Sequence, residues 1–89
     1  MKSIWKFPIE AVGIQGIPMP LGAKLLDVQI QAGQPCLWAL VDPAAEKVTR
    51  QISVYGTGHP MLLPDQPYIA SFQLAGGALV FHAFDGGER

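Results

Sequence analysis

Apolar and polar positions alternate along most of this chain. Lys24 to Gln31 shows it most clearly: Leu26, Val28 and Ile30 fall on one side, and Asp27, Gln29 and Gln31 on the other. A period of two predicts a strand with one dry and one wet face. Lys47 to Tyr55 alternates in the same way, with Val48, Arg50, Ile52 and Val54 opposite Thr49, Gln51, Ser53 and Tyr55. Its Thr, Ile, Val and Tyr residues favour a pleated surface. Tyr68 to Leu74 is expected to turn Tyr68, Ala70, Phe72 and Leu74 toward the core. Ser3 to Ile9 and Val12 to Ile17 are further short strands. Pro8, Pro18 and Pro20 offer no ladder N–H, so these pieces belong at sheet edges or strand ends.

Two segments break the alternation. Cys36 to Asp42 and Ala78 to Phe84 are apolar on both faces. Cys36, Trp38 and Leu40 cannot share one core with Leu37, Ala39 and Val41, and the same holds for Leu79 and Phe81 against Val80 and Phe84. The second faces therefore need a cover, either a loop of the same chain or another copy of it. A homo-oligomer is the expectation.

Turn residues separate the strands. Ala32-Gly33-Gln34-Pro35 reverses the chain, Asp42-Pro43-Ala44-Ala45 has the Asp and Pro of a type I turn, and Gly76-Gly77 supplies the positive φ of a hairpin. Gly56 to Pro67 is the one long irregular stretch, with three prolines and two glycines. A short helical turn fits Pro60 to Asp65 or Pro43 to Lys47. The polar residues Asp85 to Arg89 read as a flexible tail. The predicted fold is all-β: a small antiparallel β-sandwich or barrel-like domain spanning residues 1–89, with about seven short strands and at most one short helical turn.

Composition narrows the function. Of 89 residues, 49% are hydrophobic and 15% charged, against about 25% charged in ordinary domains. Six Lys and Arg balance seven Asp and Glu. Disorder is excluded by that hydrophobicity. Nucleic-acid binding through a basic face is disfavoured, because counterion release needs clustered cations. No apolar run approaches the roughly 20 residues that span a bilayer, and Lys2 is not followed by an apolar leader before Pro8 and Glu10. A cytosolic protein with no membrane partner is expected. The lone Cys36 reads as a small buried hydrophobe.

The candidate site is Tyr55-Gly56-Thr57-Gly58-His59-Pro60. Glycines on both sides of Thr57 let the backbone approach a ligand, and successive amides can form an anion-binding nest. Thr57 and His59 add side-chain donors. The competing reading is a tight turn with His59 idle. Trp5 beside Lys6 can stack a base and hold a phosphate, or Trp5 simply caps the core. Arg50, the odd member of an apolar face, is a further anion ligand. His82, in an apolar strand, reads as a satisfied core residue. Two His and one Cys show no metal spacing, no cofactor motif is present, and Asp27, Asp42, Glu46, Asp65 and Asp85 are dispersed. No catalytic constellation emerges, and an enzyme is not expected.

Several blocks resemble a family of small uncharacterised proteins encoded by bacteriophages and prophages. They are Ile4-Trp5-Lys6-Phe7-Pro8, Met19-Pro20-Leu21-Gly22-Ala23-Lys24, Pro35-Cys36-Leu37-Trp38-Ala39-Leu40-Val41-Asp42-Pro43, Gly56-Thr57-Gly58-His59-Pro60, Phe72-Gln73-Leu74 and Gly76-Gly77-Ala78-Leu79-Val80-Phe81-His82. The chain departs from it in extending past the last aromatic strand with Asp85 to Arg89. The resemblance implies a viral source and expression in a host bacterial cytoplasm. It transfers no catalytic residue. Small accessory phage proteins commonly act by binding. The expectation is a counter-defence sponge: a homo-oligomer that sequesters a nucleotide-derived immune signal without catalysis. Gly56 to His59 would meet phosphate or ribose, Trp5 or Tyr55 would stack a base, and Arg50 or Lys6 would neutralise charge. The alternatives are a protein–protein inhibitor docking on a host defence complex, anti-CRISPR-like, or a minor virion or assembly protein.

Overall fold

The computed structural model describes all residues 1–89. Its seven strands are β1 Ser3–Pro8, β2 Gly13–Pro20, β3 Lys24–Gln31, β4 Gln34–Val41, β5 Lys47–Gly56, β6 Tyr68–Leu74 and β7 Leu79–Glu88. They form two antiparallel sheets, ordered β1-β4-β3 and β2-β5-β7-β6. The fold is all-β, as the alternation predicts. The one helical element is a 3-10 turn at Ala75–Gly77. It lies in the β6–β7 hairpin, not at Pro60 to Asp65 or Pro43 to Lys47.

The core is a single layer between the sheets. Leu37, Ala39 and Val41 of β4 meet Ile52 and Val54 of β5, Ala70 and Phe72 of β6 and Ala83 of β7. Each large side chain buried here stabilises the fold by about 1.5–3 kcal/mol. Met19 and Ile17 of β2 extend this layer, and Trp5 and Phe7 of β1 pack against it. The doubly apolar β4 is the central strand of its sheet, and β7 is internal in the other.

All four edge strands are blunted. Pro8 lies in β1, and Pro18 and Pro20 lie in β2, which runs on past Ile17 because an edge tolerates them. The other two edges carry register shifts. In β3 the shift falls between Leu25 and Asp27. It turns Leu25 to the core and leaves Leu26 41% exposed, the reverse of simple alternation. In β6 the shift falls between Tyr68 and Ala70. Ala70 and Phe72 stay inside, but Tyr68, expected in the core, is 61% exposed.

The second faces of the doubly apolar strands have different fates. On the four-stranded sheet, Ser53 and Tyr55 point outward and are nonetheless buried. The 57–67 loop folds over them, with the Leu63 amide donating to the Tyr55 hydroxyl at 3.2 Å. Phe84 sits between Tyr55 and Tyr68, with ring centroids 6.0 and 5.7 Å away. On the three-stranded sheet, Ile4 of β1 lies opposite Leu40 of β4, and Lys6 opposite Trp38. That face has no covering segment, and Ile4 is 60% exposed.

Residues 85–88 are not a tail. β7 continues to Glu88 because the polar groups there find partners inside the fold. Asp85 pairs with Arg50 at 2.7 Å, the Gly22 amide donates to Glu88 at 2.5 Å, and the Arg89 amide donates to the Thr49 carbonyl at 2.8 Å. Gly86 is the extra residue of a bulge, since Gln51 pairs with Gly87 and Ile52 with Asp85. A Cβ at Gly86 would lie 2.8 Å from Gln51 Cβ and 3.0 Å from its carbonyl oxygen, so only glycine fits.

A chain ending at Phe84 is expected to lose about 2–4 kcal/mol of stability, because Arg50 is left without its carboxylate and β5 loses its pairing with β7 from Arg50 to Ile52. Urea denaturation reads this directly. A midpoint equal to that of the full chain would return residues 85–89 to the role of a passive tail.

Candidate functional site

β5 ends in a tight turn. The His59 amide donates to the Gly56 carbonyl at 3.1 Å, and Gly58 takes φ +83 inside it. The His59 ring lies against Gly56, where a Cβ would come within 2.8 Å of Nδ1. Between this turn and the start of β7 is a cleft of about 220 Å3, lined by Thr57, His59, Val80 and Phe81 among others. The anion nest does not form. The Thr57 amide donates to Val80 O at 3.1 Å and the His59 amide closes the turn. Of the amides at 57–59, only that of Gly58 is left without a partner.

Beside the cleft runs a strip of four polar side chains. His82 of β7 pairs with Ser71 of β6 in the hairpin register. Its Nδ1 lies 2.7 Å from Ser71 Oγ, and its Nε2 lies 2.7 Å from Thr57 Oγ1. Ser71 Oγ is 2.8 Å from the Tyr68 hydroxyl, and Thr57 Oγ1 donates to Val80 O at 3.3 Å. The contacts admit two tautomers of His82. If Thr57 donates to Val80 O, it accepts from His82 Nε2–H. Nδ1 is then the acceptor for the Ser71 hydroxyl, which accepts in turn from Tyr68. This tautomer puts one proton in each of the four contacts. The other leaves the two oxygens of Thr57 and Val80 facing each other with no proton from the hydroxyl between them.

The remaining sequence candidates are elsewhere. Arg50 is seven residues before Thr57 on an extended strand, about 23 Å away. Its guanidinium is bidentate on Asp85, at 2.9 and 2.7 Å, and donates to Ala23 O at 2.8 Å. It staples the far end of the sandwich and is not free for a ligand. Tyr55 is buried beneath the loop, so its ring offers no stacking face. Trp5 and Lys6 belong to the other sheet. Trp5 is turned toward the core, and Lys6 donates to Gln31 at 2.5 Å with its ammonium 5.9 Å from the Trp38 ring centroid. Of the sequence candidates, Gly56, Thr57 and His59 line the cleft, and Gly58 lies in the turn between them.

The strand patterns give His82 and Tyr68 to the core and do not single out Ser71, yet the three meet in this strip. The hairpin held the signal for two of them. Pairing Leu74 with Leu79 across the turn brings Ser71 opposite His82 by simple counting. Nothing local marks the bulge that exposes Tyr68.

The largest depression, about 420 Å3 around Pro8 to Glu10 and Gln15 to Pro18, is a poorer candidate. Its amides are spent on the fold: Gln15 and Glu10 bond reciprocally at 2.8 and 3.2 Å, and Gln34 donates to Ile9 O at 2.8 Å. Converging hydroxyl and imidazole groups occur only at the Thr57–His82 strip. The chain belongs to a family described as a domain of unknown function, DUF7352. The match covers residues 1–89. No curated protein and no solved structure matches it.

The Arg50–Asp85 pair yields a pH test. The hydrogen bond from Arg50 holds the Asp85 carboxyl below its ordinary value of 3.8, against the opposing effect of burial, and the Gly87 amide adds to the lowering. A lowered folded value stabilises the fold above the unfolded carboxylate value, and the gain fades as pH falls through the folded one. Asp85→Asn should therefore cost about 1–3 kcal/mol at pH 7. The difference from wild type should shrink below about pH 4. Thermal melts from pH 2 to 7 check both; a constant difference across that range would show that Asp85 acts without its charge.

Proposed function

We propose that this chain is a non-catalytic binding protein of phage or prophage origin. It acts in the bacterial cytoplasm by sequestering a small nucleotide-type signal of host defence. The strip Tyr68–Ser71–His82–Thr57 beside the cleft carries this reading: four side chains converge on one exposed edge with hydrogen-bonding groups suited to ribose, base edges and phosphate. His59 and the Gly58 amide extend it on the other side of Thr57. The source rests on the resemblance of the Pro35–Pro43, Gly56–Pro60 and Gly76–His82 blocks to phage and prophage proteins.

A cleft of about 220 Å3 is smaller than the roughly 300–1,000 Å3 of ordinary ligand pockets. It suits one end of a ligand, a phosphate or a ribose. The uncovered face of Ile4, Leu26, Trp38 and Leu40 belongs to the opposite sheet and is the surface for a second copy, which leaves a cleft on each outer side of the pair. Docking of a host defence protein on that same face is the second reading, favoured by the same exposed residues.

Two experiments test the proposal. Calorimetry against cyclic dinucleotides, cyclic trinucleotides and cyclic ADP-ribose isomers should find one ligand, bound about tenfold more weakly by His59→Ala, a loss of about 1.4 kcal/mol. Silence across the whole panel removes the sponge. Light scattering after gel filtration should give a multiple of the 9.6 kDa chain mass. Ile4→Glu, on an exposed edge position, should restore the single-chain mass. A wild-type monomer at all concentrations, with a host protein retained in pull-downs, transfers the face to the inhibitor reading.

A further inference from the structure

The proton count along the strip has a chemical consequence. With His82 neutral, the arrangement that puts a proton in all four contacts sends the Tyr68 proton to Ser71, the Ser71 proton to Nδ1, the Nε2 proton to Thr57 and the Thr57 proton to Val80 O. Every proton is used inside the protein. What faces solvent is lone pairs: on the Tyr68 oxygen, on Ser71 Oγ and on Thr57 Oγ1. Such a surface repels an oxyanion.

Protonation of His82 reverses half the chain. Nδ1–H now donates to Ser71, whose hydroxyl swings to the Tyr68 oxygen, and the Tyr68 O–H is released outward. Nε2–H and Thr57 keep their directions. The strip gains one outward donor and one positive charge in a single step. We infer that Tyr68, Ser71, His82 and Thr57 form a proton-gated anion site, which takes the phosphate or other oxyanion end of a ligand only together with a proton on His82. The inference rests on the proposed ligand reaching this strip from the cleft, whose wall it joins at Thr57.

The charged groups around His82 are few. Tyr55, its neighbour on β5, is buried and bonded to the Leu63 amide. Tyr68 is the only titratable group of β6, and His59 and Asp65 lie on the exposed loop. Lys47 stands at the opposite end of β5. Asp85, three residues along β7 from His82, is paired with Arg50, and Glu88 lies at the end of the strand. No Lys, Arg, Asp or Glu of these three strands lies beside the ring to neutralise an anion in its place.

Imidazole nitrogen NMR on the wild-type protein tests this, with sulfate as probe because it keeps its charge from pH 5 to 8. At pH 8 without sulfate, His82 should show the Nε2–H tautomer. Sulfate should raise the His82 titration midpoint by about one pH unit over chloride at equal ionic strength, the reciprocal of a tenfold tighter hold on the protonated form. A rise above about 0.3 pH unit supports the gate, and a smaller one overturns it. The Nδ1–H tautomer at pH 8 overturns it as well. Failure of the nucleotide panel with a positive sulfate result would remove the proposed ligand class and leave the gate standing.

Discussion

The register of β7 against its two neighbours is the constraint on which the four-stranded sheet depends. Ala83 pairs with Val54 on one side and Ala70 on the other, all inside the core. A slip of one residue would turn His82 into that core and carry Ala83 out to solvent. The correct register does two things at once. It aims His82 at Ser71 and Thr57 and, with the Gly86 bulge taking up an extra residue, swings Asp85 inward to Arg50. Site and staple therefore sit three residues apart on one strand.

The thinness of the domain explains where its apolar residues go. The Cα positions span only 15 Å along the shortest axis, room for one core layer between two sheets. Strands apolar on both sides must find a second cover. The 57–67 loop supplies it over Tyr55 and Phe84 and, in doing so, brings Thr57 and His59 to the same end as His82. The outer face of β4 has no such loop, and its Trp38 is shielded only by the Lys6 chain drawn across it.

Much of the architecture was legible along the chain. The limits of β3 and β6 follow directly from the Lys24–Gln31 and Tyr68–Leu74 patterns, and the prolines of β1 and β2 mark edges. The errors have a common cause. Leu26 and Tyr68 were assigned by strict alternation, and a bulge in each strand breaks the count. Asp85 and Glu88 looked like a solvated tail because their partners, Arg50 and the Gly22 amide, are 35 and 66 residues away in sequence. The site was half legible: Gly56 to His59 stood out as a flexible, hydrogen-bonding turn, while His82 looked like one more residue of an apolar strand.

The sequence by itself determined the period of the strands, the places where the chain must turn, and the excess of apolar faces over one core. These are local properties, set by side-chain polarity and backbone freedom within a few residues. Tertiary structure decided which groups are still free to act. Arg50, Trp5, Lys6 and Tyr55 all had suitable chemistry, and each is committed elsewhere: to a carboxylate, to the core, to a glutamine and an indole face, or beneath a loop. Thr57, Ser71 and His82 come from three segments, and only sheet pairing and loop closure bring Thr57 and Ser71 each to 2.7 Å from the His82 ring. A hydrogen bond acts over that distance alone, so the network exists in the folded chain and nowhere in the order of its residues.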